Sequence, residues 1–230
     1  MRNEVAKIKE RYSRRKTLPP NLYSPLNFDV NFALQEKQRS LLRLFKSLGI
    51  KKLSNLKIIE IGCGAGSNLL ELIQLGANPK NLVGCDLLED RINKARDRLP
   101  PSVRLYHCDA SSLNLEASTF DIVYQSVVFS SILNKDFQIS LAKKMWDLIH
   151  PGGFILWYDF LYNNPKNKDV KGIPIERIKQ LFPDGNITFE KVTLAPPIAR
   201  FIVNLSPNLY HFLNYFQIFR THVICMLIKS

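Results

Sequence analysis

Residues 58–72 read IIEIGCGAGSNLLEL. Three isoleucines and Glu60 run into Gly62, Gly64 and Gly66, and an apolar pattern of helical period follows. Glycines at alternate positions let the backbone turn sharply and approach a ligand with no Cβ in the way. The stretch therefore predicts a strand, a tight turn and a helix, with something seated against the turn. A dinucleotide-binding turn reads G-x-G-x-x-G and places a pyrophosphate at the helix N-terminus. Here the spacing is G-x-G-x-G, and Ser67 stands where the last glycine of that pattern would be. Glu60 lies at the strand end, where an acid repels a pyrophosphate and attracts a cation. The ligand that fits is nucleoside-like and positively charged.

Outward from the turn, strands are expected at 57–61, 81–86, 103–109, 120–125 and 154–160. Helices are expected at 66–75, 89–99 and 136–150, and PGG at 151–153 reads as a turn. Strands alternating with helices at this spacing imply a parallel sheet covered on both faces. Upstream, residues 32–48 place Leu34, Leu41, Leu44, Phe45 and Leu48 at near-helical spacing, closed by Gly49. They follow a basic segment and a Pro/Asn-rich loop, TLPPNLYSPLN. Downstream lie a polar loop (161–173), a short helix opened by Pro174, a strand at 187–195, an aromatic stretch at 196–220 broken by Pro207, and a last strand at 221–229. Two parts result: a basic arm over 1–52 and an α/β domain over 53–230 with an insertion at 196–220.

The 230 residues suit one α/β domain with additions, and 46% hydrophobic with 23% charged residues is ordinary for a chain with a sizeable core. No apolar run of about 18 residues predicts a spanning helix, and the basic N-terminus lacks the apolar centre of a secretory signal. The four cysteines, Cys63, Cys85, Cys108 and Cys225, form no C-x-x-C pair. No metal site is therefore expected, and a reducing, cytoplasmic location is the simpler inference. The net charge of +12 is uneven: residues 1–52 carry 13 Lys/Arg against 4 Asp/Glu, a net +9. Such an arm is a solvated helix face or a contact for nucleic acid, anionic lipid or an acidic substrate. No aromatic-rich RNA module accompanies it, so no nucleic-acid partner is expected.

Asp86 ends the second strand, 20 residues after Gly66, where a carboxylate can accept both ribose hydroxyls. Asp109 ends the third, where it can accept from the exocyclic amine of a base. Glu60, Asp86 and Asp109 on three consecutive strand ends form a connected nucleoside site.

Taken together, EIGCGAG, GCDLLEDRINKAR, HCDASSL, FDIVYQSVVFSSI and LIHPGGFILWYDF make residues 57–160 resemble the class I S-adenosylmethionine-dependent methyltransferase family. The resemblance implies a Rossmann-like, doubly wound, seven-stranded sheet whose last strand is antiparallel, with a helical N-terminal arm acting as a lid and an aromatic helical insertion before the last strand. It implies S-adenosylmethionine as cofactor. By position, Glu60, Gly62, Cys63, Gly64 and Gly66 would flank its amino acid and sulfonium portion. Asp86 would hold the ribose, Leu87 would lie against the adenine, and Asp109 and Ala110 would meet the adenine edge and face. Gln125 would sit near the methionine carboxylate or the methyl. Tyr12 and Tyr23 would fold over the cofactor.

For a hydroxyl acceptor the enzyme must align the two reactants and supply a base. The loop after the fourth strand, QSVVFSSI, lacks the D/N-P-P-Y pattern of base N-methylation. Asp159, ending the fifth strand, is the expected catalytic base; a turn-stabilising aspartate is the plain alternative. The aromatic stretch at 196–220 walls an acceptor pocket, touches a membrane surface, or forms extra core or a dimer interface. The chain is similar to methyltransferases associated with bacterial surface-polysaccharide biosynthesis. That implies O-methylation of a sugar of a glycan or glycolipid, at the inner face of the membrane where the arm and insertion reach lipid. Methylation of a quinone or other lipid, and a noncatalytic S-adenosylmethionine-binding partner subunit, are the alternatives. The acceptor is thus a small molecule, a glycan or a lipid, and the oligomeric state is not specified.

Overall fold

A computed structural model describes residues 2–15, 19, 21–165 and 167–230. Residues 17, 18 and 20, at the start of the Pro/Asn-rich loop, lie outside the described residues, as does position 166 of the polar loop. The glycine turn sits where the sequence places it, between β1 (Ile58–Ile61) and α3 (Ser67–Gln74). β2 (Leu82–Asp86), α4 (Glu89–Arg98), β3 (Arg104–His107), β4 (Phe120–Ser126), α5 (Lys135–Leu148) and β5 (Ile149–Phe160) continue the alternation. The end of the chain adds α6 (Ile175–Leu181), β6 (Gly185–Leu194), α7 (Pro196–Val203), α8 (Pro207–Tyr215) and β7 (Arg220–Lys229).

The seven strands form one sheet in the order β3-β2-β1-β4-β5-β7-β6. β1 to β5 pair in parallel, and β7 is antiparallel to both of its neighbours. This is the Rossmann-like architecture expected, with the last strand reversed. The order changes direction between β1 and β4, which opens a crevice at their carboxyl ends.

Successive residues of a strand face opposite sides. Ile59 and Ile61 accordingly join the core under α5 and α6, which also takes in Trp157 and Phe182. Ile58 joins the core under α3 and α4, with Tyr124 and Leu156. The expected PGG turn is drawn into β5, and the ladder to β4 slips there, from Phe120 opposite Ile149 to Ile122 opposite Phe154. Gly152 takes a φ of +83°, so the irregularity is absorbed at a residue without a side chain.

The N-terminal arm is two helices on opposite faces of the sheet, α1 (Arg2–Arg15) and α2 (Phe28–Ser47). α1 sits on the loop after β4. Its buried Arg11 pairs with Glu4 at 2.5 Å and donates to the Ser131 carbonyl, and Glu4 accepts from the Leu133 amide. α2 buries Leu41, Leu44 and Phe45 as its periodicity predicts, but it also buries Glu36 and Lys37. Leu34, expected to point inward, is exposed.

Candidate functional site

The turn after β1 is fixed from behind. The amides of Gly62 and Cys63 both donate to the Cys85 carbonyl, at 2.8 and 2.9 Å. Gly62 has a φ of +71°, and a Cβ there would collide with Val128. Glycine is therefore required twice over, by conformation and by close approach. Gly66, at φ +78°, does a different job: a Cβ would meet Leu99 at 2.6 Å, so it lets α4 close onto the start of α3.

Asp86 then turns its carboxylate back over the turn. Its Oδ2 accepts from the Gly64 amide at 2.8 Å and its Oδ1 from the Leu88 amide at 2.9 Å. Both oxygens are oriented by backbone and keep lone pairs for further donors. One strand over, Asp109 Oδ1 accepts from the amide and hydroxyl of Ser111, at 2.9 and 2.8 Å.

Between these carboxylates, the glycine turn and α1 lies a cavity of about 260 Å³. Gly62, Asp86, Leu87, Asp109 and Ala110 line it, so half of the expected cofactor contacts converge there. Tyr12 lines it too. Its ring stacks against the Arg91 guanidinium, 4.4 Å away, and its hydroxyl lies 3.2 Å from Ser131 Oγ. α1 thus walls the cavity through Tyr12, whereas Tyr23, the other residue expected to fold over the cofactor, is exposed and lies against Arg200.

The other expected residues lie outside the cavity lining. Glu60 is fully buried on the opposite face of β1 from Ile61, because adjacent strand residues alternate. Its Oε1 accepts from Asn68 Nδ2 at 2.6 Å, and its Oε2 has no partner. Burial outweighs Asn68 and Lys37 and pushes its pKa up to about 8. Cys63 is buried beside β2, and Gly64 reaches the site only through its amide. Gln125 is buried as well: its Oε1 accepts from the Val128 amide at 3.1 Å, and its Nε2 donates to the Tyr158 carbonyl at 3.4 Å. It braces the loop after β4 and meets no cavity, and Ser126, Val127 and Val128 take the lining position instead.

Asp159 is likewise not presented to an acceptor. It is fully buried, and its oxygens accept from the amides of Ser130 (3.1 Å) and Phe160 (2.9 Å). Burial raises its pKa to about 6, against the pull of those hydrogen bonds. The turn-stabilising alternative describes this geometry.

Two features escaped the sequence reading. Val127 has a φ of +58°, costly for a β-branched residue, and is held by its amide donating to the Tyr158 carbonyl at 2.8 Å. The strain lies in the cavity wall. Lys37 of α2 reaches across the top of the sheet, 2.6 Å from Asn68 Oδ1 and 3.0 Å from Glu71 Oε2. Burial opposes its charge, but Tyr124 and Glu71 more than offset this, so the ammonium is held above its usual range. The signal was available: Lys37 stands four residues before Leu41 and seven before Leu44, in the apolar stripe of α2.

The residues fit a nucleoside bearing a positive charge. Asp86 offers a pre-oriented carboxylate, Asp109 and Ala110 stand at the far side, and the turn leaves Cβ-free space at Gly62. Glu60, with a buried oxygen lacking any donor, lies just behind that turn.

Residues 58–153 match a family model described as a methyltransferase domain. The ubiquinone biosynthesis O-methyltransferase of Roseobacter denitrificans is 29% identical over 140 residues, which are 59% of this chain and 53% of that protein. The sterol 4-C-methyltransferase strm-1 of Caenorhabditis elegans is 25% identical over 122 residues, 51% of this chain and 35% of that protein. This chain thus spans about a third to a half of the length of these curated relatives. Phosphoethanolamine N-methyltransferase 1 of Haemonchus contortus, solved with phosphoethanolamine and S-adenosylhomocysteine, superposes with a TM-score of 0.65 at 14% identity. The match covers 99% of this chain and 49% of that one, and it establishes likeness of fold.

Proposed function

We propose that this chain, whose residues 58–153 match a methyltransferase-domain model, is a class I S-adenosylmethionine-dependent methyltransferase that O-methylates an apolar acceptor carrying an acidic hydroxyl, such as a phenol on a lipid or quinone-like molecule. The carrying observation is the Asp86 carboxylate, fixed by the Gly64 and Leu88 amides at the mouth of the glycine turn. When bound, S-adenosylmethionine would supply a methyl carbon activated on a sulfonium, with S-adenosylhomocysteine as the leaving group and the acceptor's hydroxyl proton released to solvent.

The chain's own residues bind and orient. Asp86 would accept from the ribose hydroxyls, Asp109 and Ala110 would border the base, and Gly62 would admit the backbone to close range. Tyr12 and Ser131, whose hydroxyls lie 3.2 Å apart in the cavity wall, offer a polar point to the acceptor.

The nature of the walls supports an apolar, phenol-like acceptor over a sugar. Apolar side chains, among them Ile8, Val127, Val128, Ile132, Phe137 and Leu141, line much of the cavity beyond the two aspartates, beside the polar Tyr12, Arg91, Ser126 and Ser131. Among the described residues, no imidazole and no carboxylate other than Asp86 and Asp109 lines the cavity. A phenol, with a pKa near 10, gives up its proton far more readily than a sugar alcohol and makes the smaller demand on a base. The relative named for ubiquinone biosynthesis is consistent with that class.

With methyl-labelled S-adenosylmethionine and extracts of the source cells, label is expected in the organic-extractable lipid fraction. Label confined to the water-soluble glycan fraction overturns this acceptor class in favour of sugar O-methylation. Cofactor binding with label in neither fraction makes the chain a noncatalytic subunit.

A further inference from the structure

The aromatic insertion does not wall the cavity. α7 and α8 form a helical hairpin that buries Ala199, Ile202, Tyr210 and Asn214 against the rest of the fold. Phe201 of α7, Leu205 of the link, Phe212 and Tyr215 of α8 and Ile218 of the turn after it are exposed, Tyr215 and Ile218 to 79% and 83%. The loop before α2 extends the same surface. Phe28 touches Phe32, which packs on Tyr210 and His211 of α8, and Tyr23 lies under Arg200 of α7. Leu26, in that loop, is 94% exposed. Single-chain proteins rarely leave a continuous apolar patch of more than a few hundred Å² open to water.

The hairpin itself carries no acidic side chain, and the partly exposed Glu190 of β6 is paired with Arg43 and Arg220. Residues 196–219 contain Arg200 and neither Asp nor Glu. The nearby carboxylates, Asp29 and Glu36, are buried and face inward to Arg200 and Arg220. α2, which starts at the patch, continues with Arg39, Arg43 and Lys46 exposed, Arg43 being paired with Glu190. Large aromatic and aliphatic side chains on one face of short helices, with cations at the rim, match the requirements of the boundary between headgroups and acyl chains.

We propose that the α7–α8 hairpin and the loop before α2 dock on an anionic lipid bilayer. The bilayer receives the apolar side chains, and its negative surface attracts the exposed cations of α2. This docking rests on the surface alone and is separate from the acceptor assignment.

The test is flotation of the full chain with vesicles of phosphatidylcholine alone and of phosphatidylcholine with phosphatidylglycerol. The chain is expected to float with the anionic vesicles, and less so as salt is raised. Phe201→Ser/Phe212→Ser/Ile218→Ser, changed only at exposed positions, is expected to lose vesicle binding by about tenfold or more, with melting temperature and S-adenosylhomocysteine affinity unchanged. Absence of binding to either vesicle overturns the proposal, as does equal binding by the triple variant. A wild-type dimer that the same variant dissociates, with no flotation, assigns the patch to a second copy of the chain instead.

Discussion

Asp86 concentrates much of the site in one side chain. It must serve two backbone donors, Gly64 and Leu88, before it serves any ligand. Asp86→Ala is therefore expected to weaken S-adenosylhomocysteine binding by about tenfold to a hundredfold, the loss of one or two charge-assisted hydrogen bonds. Titration calorimetry reads the change; unaltered affinity in a folded variant would remove Asp86 from the ribose site. Gly62, Asp86 and Asp109 line the cavity where the sequence placed them, because glycine at a turn and acids at strand ends carry positional meaning, and Leu87 and Ala110 follow as their chain neighbours. Glu60, Gln125 and Asp159 lie off the cavity lining for two reasons. β1 is buried on both faces, so its apolar run shows no alternation and does not reveal that Glu60 faces away from Ile61. Gln125 and Asp159 share the face of Ile61, but the loop after β4 folds back and caps them with the Val128 and Ser130 amides, a contact that no sequence pattern announces.

Among the elements, α2 is bound to the cofactor turn through Lys37, whose partners Asn68 and Glu71 belong to α3. Asn68 in turn holds Glu60 at the end of β1. One lysine thus joins the arm, the first helix of the domain and the strand that ends in the glycines. Lys37→Met is expected to cost about 3 kcal/mol, a fall of roughly 10 °C in Tm, because it leaves buried acceptors without their cation. If the ion pair matters, Lys37→Met/Glu71→Gln recovers part of that loss in a denaturation cycle; additive losses would show that Lys37 acts through packing alone. The helical arm was legible as an element, but its division was not: α1 walls the cavity, and α2 covers the opposite face of the sheet. The cause is the polar link in the stripe of α2, which hydrophobic periodicity passes over.

For the whole molecule, buried titratable groups give folding a pH dependence whose sign follows from their displacement. Glu60 and Asp159 are raised, to about 8 and about 6, so the folded chain keeps protons that the unfolded chain releases. Their contributions are complete at acid pH and are lost as pH rises through those values. His222, buried and stacked on Tyr158, is pushed down to about 3, so its contribution is complete above its ordinary value and is lost as pH falls. Below about pH 6.5 the slopes oppose one another. Between about 6.5 and 8, His222 and Asp159 are nearly silent and Glu60 remains. His150, raised by Asp121, acts in the same sense there, but it is exposed enough for solvent to screen it. Tm is therefore expected to fall by a few degrees across that interval, at no more than about 1.4 kcal/mol per pH unit for one proton. Glu60→Gln keeps the hydrogen bond to Asn68 but cannot ionise, so it is expected to flatten the fall. A variant with the wild-type slope would place the proton elsewhere and would show that Glu60 is ionised behind the turn even without a cation in front of it.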